Sequence, residues 1–449
     1  MIRLDSYAMG RRTLIGKDLM GLKTLRYLEC SEIDFSGDWS HLLPRLNWLS
    51  RKICPSMFAS SGIYLGNLVI LNLSYSLINE DWSGWSQIEE ANKLKVLDLS
   101  STCLRRTPDF SKYTSLERLI LQDCKGLVEI DPSIGKLKDL KFLNVNKCIS
   151  PRRFPEELSS LQNLSSFTLE KTSIIIKLPE FIGRLSSLCH LSLDGCRELE
   201  MVEFSRVGRL GKLKVLNLSR CKSIQQFPFG MRNMGSLVML NLSYLGITEL
   251  PATIRILKNL RILRAFGCQS LEKIPSTIGD LRSLQVLDLR YASVNVLPDT
   301  IGDLQELRSI EVNGSKIREL PASIGMLKKL KILWAVKCIS LEEIPSTIGD
   351  VRSLEVLNIS GTRIVGLPDT IGNLHELKVL HLDQTRIQKL PPSIGMLKRL
   401  EVLTLENCGL LAEIPSEIKD CTKLKKQKQK QKQFQKVLTS KTVCILSNL

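Results

Sequence analysis

Thirteen cysteines and four histidines are the side chains of this 449-residue sequence best suited to holding a metal or attacking a substrate. Their spacing argues against both roles. No Cys-x-x-Cys occurs, and His41, His190, His375 and His381 lie at no interval typical of zinc ligands. An odd number of cysteines also fails to close a disulfide framework. The nearest approach to a phosphate-binding loop is the segment from Gly10 through Gly16-Lys17-Asp18, which is one residue too long. It also carries an acid where the magnesium-binding hydroxyl should stand. Neither a Gly-x-Ser-x-Gly elbow nor a Gly-x-Gly-x-x-Gly turn is present. The expectation is a chain with no catalytic residues, no cofactor and no metal, and with no binding or hydrolysis of ATP or ADP.

The cysteines follow a grid instead. A pattern Leu-x-x-Leu-x-Leu recurs with its first residue at Leu94, Leu116, Leu140, Leu164, Leu188, Leu213, Leu237, Leu260, Leu284, Leu307, Leu330, Leu354, Leu377 and Leu400, mostly 23 or 24 residues apart. Weaker copies begin at Leu25, Leu46 and Leu68, so about seventeen units are expected in all. Units with Cys124, Cys148, Cys221, Cys268, Cys338 or Cys408 after the pattern have 24 residues, and units with Thr362 or Thr385 there have 23. Thr172 is an exception at 24, and Cys196 marks a unit of 25. A small, weakly polar side chain suits a crowded turn, where it can be buried at little cost.

Within a unit, Leu287-Asp288-Leu289 alternates with the period of a short strand that has one buried face. The segment Leu297-Pro298-Asp299-Thr300-Ile301-Gly302-Asp303-Leu304 has a longer period, with Ile301 and Leu304 on one side of a helical or 3-10 turn. One unit cannot bury its own leucines, but units stacked in register can. The predicted fold is α/β: a curved solenoid with a concave parallel sheet and short helical or 3-10 segments on the convex side. Residues 1–21 read as a lead-in, 22–93 as irregular repeats with a Trp-rich insertion at Asp81–Trp85, 94–424 as regular repeats, and 425–449 as a Lys/Gln-rich tail.

Charge and targeting signals narrow the function classes. Of the formal +17, eight charges fall within Cys421–Leu449, which leaves only +9 over the other residues and argues against a basic groove for a specific nucleic acid. The tail is expected to be disordered and dispensable for folding. The first 24 residues hold no long apolar stretch, and no run approaches the ~20 residues of a membrane span. Six Asn-x-Ser sequons begin at Asn72, Asn163, Asn217, Asn241, Asn313 and Asn358, and most follow from the strand pattern itself. Free thiols in a reducing compartment fit this picture.

The segment Leu94–Leu137 is the most specific part of the sequence. Its blocks Thr107-Pro108-Asp109-Phe110-Ser111 and Val128-Glu129-Ile130-Asp131-Pro132-Ser133-Ile134-Gly135 resemble the repeat domain of plant disease-resistance proteins of the TIR, nucleotide-binding, leucine-rich-repeat type. The resemblance covers roughly residues 22–423. It implies a cytoplasmic or nuclear domain that recognises a protein ligand, either a pathogen effector or a host guardee. In a full receptor it also implies a nucleotide-binding module as partner, which the repeats hold inactive. The repeated Leu-Pro-x-x-Ile-Gly is shared with intracellular Ras-group repeat proteins, so a free-standing scaffold is the alternative, and an extracellular ectodomain is a more distant one. No small-molecule substrate is implied.

The same pattern locates a recognition surface. In each strand the residue between the core leucines and the one after the second face away from the core. In many units these are small or amide residues, such as Asn217, Ser219, Asn241 and Ser243. Between Leu260 and Leu382 they change to Arg264, Phe266, Asp288, Arg290, Glu311, Asn313, Trp334, Val336, His381 and Asp383, with Tyr291 beside them. Folding gives no reason to place Trp and Phe there, whereas protein interfaces favour Trp, Tyr and Arg as anchors.

Overall fold

A computed structural model describes residues 2–5, 12–15, 21–31, 33–36, 42–53, 65–148, 154–172, 175–200, 207–227 and 233–424. The Lys/Gln tail and most of the near-phosphate-loop segment lie outside the described residues, although Arg12–Ile15 is a strand paired with Ile33–Ser36. The chain divides into two compact units: Met1–Ser223 with Pro228–Met234, and Ile224–Phe227 with Gly235–Leu449.

Each unit is a stretch of leucine-rich-repeat solenoid. In the N-terminal unit the main ladder holds ten described strands, from Ile2–Asp5 and Tyr27–Ser31 to Val215–Asn217. Ile2–Asp5 pairs with Tyr27–Ser31, so the ladder starts one strand ahead of the first recurrent leucine. The C-terminal unit holds eight, from Met239–Asn241 to Val402–Thr404. All pairings are parallel, and each repeat's residues face their equivalents without slippage: Leu263 pairs with Leu287, Leu287 with Ile310 and Ile310 with Leu333. These central residues are fully buried, so a one-residue slip would carry every leucine to the wrong face.

Opposite the sheet, most of the regular repeats turn through a five-residue 3-10 segment, such as Ser276–Asp280, Asp299–Asp303 and Ser346–Asp350. Proline stands just before each of these, at the cap position. Pro275 has φ −72° and ψ 152°, so its fixed φ directs the chain into the turn without costing a hydrogen bond inside it. The Ile-Gly pair that follows has two tasks. The isoleucine (Ile278, Ile301, Ile348) is fully buried. The glycine lets adjacent turns approach closely: a Cβ on Gly279 would lie 2.5 Å from the Thr300 carbonyl oxygen of the next repeat, and one on Gly349 2.3 Å from that of Thr370.

The cysteine grid has a hydrogen-bond basis. The thiols of Cys148, Cys196, Cys221, Cys268, Cys338 and Cys408 donate to a carbonyl of the preceding repeat at 3.0–3.1 Å, as Cys268 does to Leu242. Thr362 and Thr385 instead donate at 2.7 Å within their own repeat, to Ile359 and Leu382. Thr172 resolves the exception in repeat length, because its hydroxyl reaches back to Val145 of the preceding repeat as a cysteine would. The longer unit therefore accompanies the backward-reaching bond and not the residue type.

All eleven described cysteines are free thiols. Burial pushes Cys196 up to about 12 and Cys268 up to about 11, far from a reactive thiolate. Iodoacetamide should therefore modify the exposed Cys103 quickly in the native chain and leave Cys196 and Cys268 untouched until unfolding. Pulse labelling read by mass spectrometry checks this, and equal rates at the three sites would contradict the packing.

Candidate protein-recognition surface

Three side chains per repeat stand on the sheet face. The first follows the central core residue and is commonly Asn or Asp. Its side chain accepts the backbone N–H two residues on, as Asn72 does from Ser74 (2.9 Å), Asn217 from Ser219 (3.1 Å) and Asn358 from Ser360 (3.1 Å). The asparagines of the other sequons are likewise held: Asn241 accepts from Ser243, Asn313 from the Val336 N–H, and Asn163 donates to the Lys138 carbonyl. In the strand copies at Asn72, Asn217 and Asn241 the Asn-Leu-Ser signature is thus a local backbone clamp.

The third position of the face is left-handed. Tyr75, Lys147, Lys171, Arg220, Tyr244, Tyr291, Lys337 and Gln384 all have φ between 55° and 61°. Gly195, Gly267, Gly314 and Gly361 occupy the equivalent place in other repeats. From Tyr244 to Gln384 the two kinds alternate, and the glycine makes room for its neighbour. A Cβ on Gly267 would meet the Tyr244 ring at 2.7 Å, and one on Gly314 the Tyr291 ring at 2.6 Å.

That packing assembles part of the predicted surface. Phe266 lies between Tyr244 and Tyr291 in two edge-on contacts, with centroids 5.0 and 5.4 Å away. Arg290 stacks over Phe266 at 5.1 Å, donates to both oxygens of Asp288 at 2.9 and 2.8 Å, and forms an ion pair with Glu311 at 3.1 Å. These acids raise the Arg290 pKa above its ordinary value, chiefly through the Asp288 hydrogen bonds. Asp288 is only 2% exposed beneath this guanidinium, so it positions Arg290 and is not open for contact.

The other predicted residues fall outside this cluster. Arg264 is exposed, and its backbone pairs with those of Asn241 and Asp288. Trp334 is half-buried between Glu311 and Asn358 in the register, and no described aromatic ring pairs with it. His381 and Asp383 meet through Thr404, whose hydroxyl donates to Asp383 and lies 2.9 Å from His381 Nδ1. Because the one hydroxyl proton is committed to Asp383, Nδ1 must be the donor to Thr404. That is the reverse of a histidine base activating a nucleophile.

Comparison with known proteins agrees with the repeat geometry. Residues 188–295, 277–360 and 356–449 match the family model of a leucine-rich repeat region, together more than half of the chain. The chain belongs to the leucine-rich-repeat family. It is 30% identical over 207 residues to Protein SUPPRESSOR OF npr1-1, CONSTITUTIVE 1 of Arabidopsis thaliana, covering 41% of this chain and 14% of that protein. To TMV resistance protein N of Nicotiana glutinosa it is 32% identical over 180 residues, covering 39% and 15%. The match thus spans about one seventh of each relative's length. A leucine-rich-repeat protein of Leptospira interrogans superposes with a TM-score of 0.70 at 27% identity, covering 80% of this chain and 90% of that one. The resemblance carried by Thr107–Ser111 and Val128–Gly135 therefore holds: the relatives are plant resistance proteins.

One member of the leucine-rich-repeat surface, Tyr244, escapes a reading of the core alternation, whereas Thr404 is the register equivalent of His381 and lies just past the span from Leu260 to Leu382. Tyr244 sits at the left-handed third position, which the Leu-x-x-Leu-x-Leu pattern does not mark. The signal was available in the alternation Tyr244, Gly267, Tyr291, Gly314 at repeat spacing. Among the described residues, no helix is long and apolar enough to cross a membrane.

Proposed function

We propose that the chain is the non-catalytic, ligand-sensing repeat domain of an intracellular plant immune receptor. In this reading the sheet face of its C-terminal unit binds a protein, either a pathogen effector or a host guardee. The repeats would also restrain the nucleotide-binding module of a full receptor. One observation carries the reading. Where other repeats place asparagine clamped to its own backbone, two repeats of the C-terminal unit spend that position on Arg264 and Trp334, with Arg290 on the same face and Tyr244 and Tyr291 exposed beside them. Such side chains add nothing to the clamp, and they are the types that dominate binding energy at interfaces. The resistance-protein relatives supply the setting.

Site-directed photo-crosslinking tests the location. A benzophenone side chain at position 334 in the receptor, expressed in leaf tissue exposed to a recognised pathogen, should trap a protein partner. The same group at the exposed Met326, on the 3-10 side, should not. Trapping at 326 and not at 334 would overturn the assignment.

A further inference from the structure

The repeats that carry Tyr244, Phe266 and Tyr291 also form a cavity of about 300 Å³. Its floor includes Leu250, Ile274 and Pro275, and its rim carries Glu249, Glu272 and Lys273. The middle repeat explains the opening. Five residues separate Cys268 from Ile274, whereas only four separate Leu245 from Leu250 and Ala292 from Leu297. Glu249 still pairs with Lys273 in a parallel bridge, but Lys273 and Val296 form no such bridge among the described residues. The cavity lies where each of these repeats leaves the sheet for its 3-10 turn, four to six residues past the aromatic strip.

The dimensions and chemistry point to one kind of occupant. Tyr244 and Tyr291 are two repeats apart, about 10 Å at ~4.8 Å per strand step, and are 41% and 53% exposed, with Phe266 recessed between them. A polyproline II chain advances ~3.1 Å per residue and repeats every three residues, about 9 Å. Prolines three apart would therefore sit against successive tyrosines, in the aromatic docking mode such chains use. The rim adds a net negative charge, with two carboxylates able to receive a guanidinium or ammonium group. We infer that this strip and cavity dock an extended, proline-containing segment of the protein partner that also carries an arginine or lysine. The inference rests on the sheet face being a protein-recognition surface, and it names the partner's chemistry.

Tyr291→Gly and Tyr244→Gly are the informative variants. Each removes a ring at a left-handed position that glycine occupies in other repeats, so the backbone is relieved and not strained. The probe is an end-blocked peptide of six prolines and one arginine, titrated by calorimetry into the full chain. Its control is a Gly/Ser peptide of equal length carrying the same arginine. The proline peptide should bind at least tenfold more tightly than the control, and each Tyr→Gly variant should lose at least tenfold. Glu272→Gln should lose a few-fold, and Trp334→Ala should change little. Equal binding of both peptides, no binding of either, or loss with Trp334→Ala but not Tyr291→Gly would overturn the inference. So would a self-dimer dissolved by Tyr291→Gly, since a second copy would then occupy the strip. If crosslinking at position 334 still succeeds, such a failure falls on the proline segment alone. If crosslinking maps elsewhere, the sheet-face reading fails as well.

Discussion

Replacing Gly349 with alanine should lower the stability of the C-terminal unit by about 3 kcal/mol, at the upper end of what overpacking costs. The added methyl would stand 2.3 Å from the Thr370 carbonyl oxygen and 2.7 Å from its Cβ. Neither can move away cheaply, because Thr370 lies in the next 3-10 turn, Asp369–Asn373, and Ile371 beside it is fully buried. Relief would require the two turns to separate and lift a core isoleucine. Gly366 is the matched control, since a Cβ there meets nothing within 4 Å. In a domain of ~200 residues, ~3 kcal/mol corresponds to a fall of roughly 6–12 °C in Tm. Gly366→Ala should stay within a degree or two. Equal melting of the two variants would show that the Ile-Gly repeat does not arise from inter-turn contact.

The solenoid was legible because its determinants are local and periodic. Leu263, Leu287 and Leu333 each repeat a buried strand position that is followed 11 or 12 residues later by Pro and then Ile-Gly, so register and turn confirm each other. The cysteine rule was readable as a length rule, but its cause was not. Thr172 and Thr362 are the same residue, and only the structure shows one hydroxyl reaching back to Val145 and the other staying with Ile359. The side chains of the sheet face were legible in part. Alternation placed Phe266, Arg290 and Trp334 on it, but alternation treats each strand alone. It could not show Arg290 spanning Asp288 and Glu311, or Asp288 being covered as a result. Tyr244 was missed for a further reason: its exposure depends on a positive φ of 61°, a backbone state that tyrosine rarely adopts and that hydropathy does not report.

The second large effect concerns Trp334. Its indole is half-buried, makes no ring pair with any described aromatic residue, and stands where Asn358 and Asn217 in other repeats clamp their own backbone. Truncation therefore removes a contact surface without removing a structural bond. Asn217 makes the opposite case. It accepts the Ser219 N–H at 3.1 Å and donates to Ser192 at 3.2 Å, so Asn217→Ala should cost about 1 kcal/mol of stability and leave recognition alone. The two substitutions should separate binding from folding.

Paired measurement of partner affinity and melting for Trp334→Ala and Asn217→Ala, using the protein trapped at position 334, tests the central claim most directly. The account predicts that Trp334→Ala weakens binding about 30-fold, or ~2 kcal/mol, with Tm near wild type, while Asn217→Ala lowers Tm by a few degrees and binds normally. Equal affinity losses in both, or unfolding by Trp334→Ala, would mean that the tryptophan serves the sheet and that the recognition surface lies elsewhere.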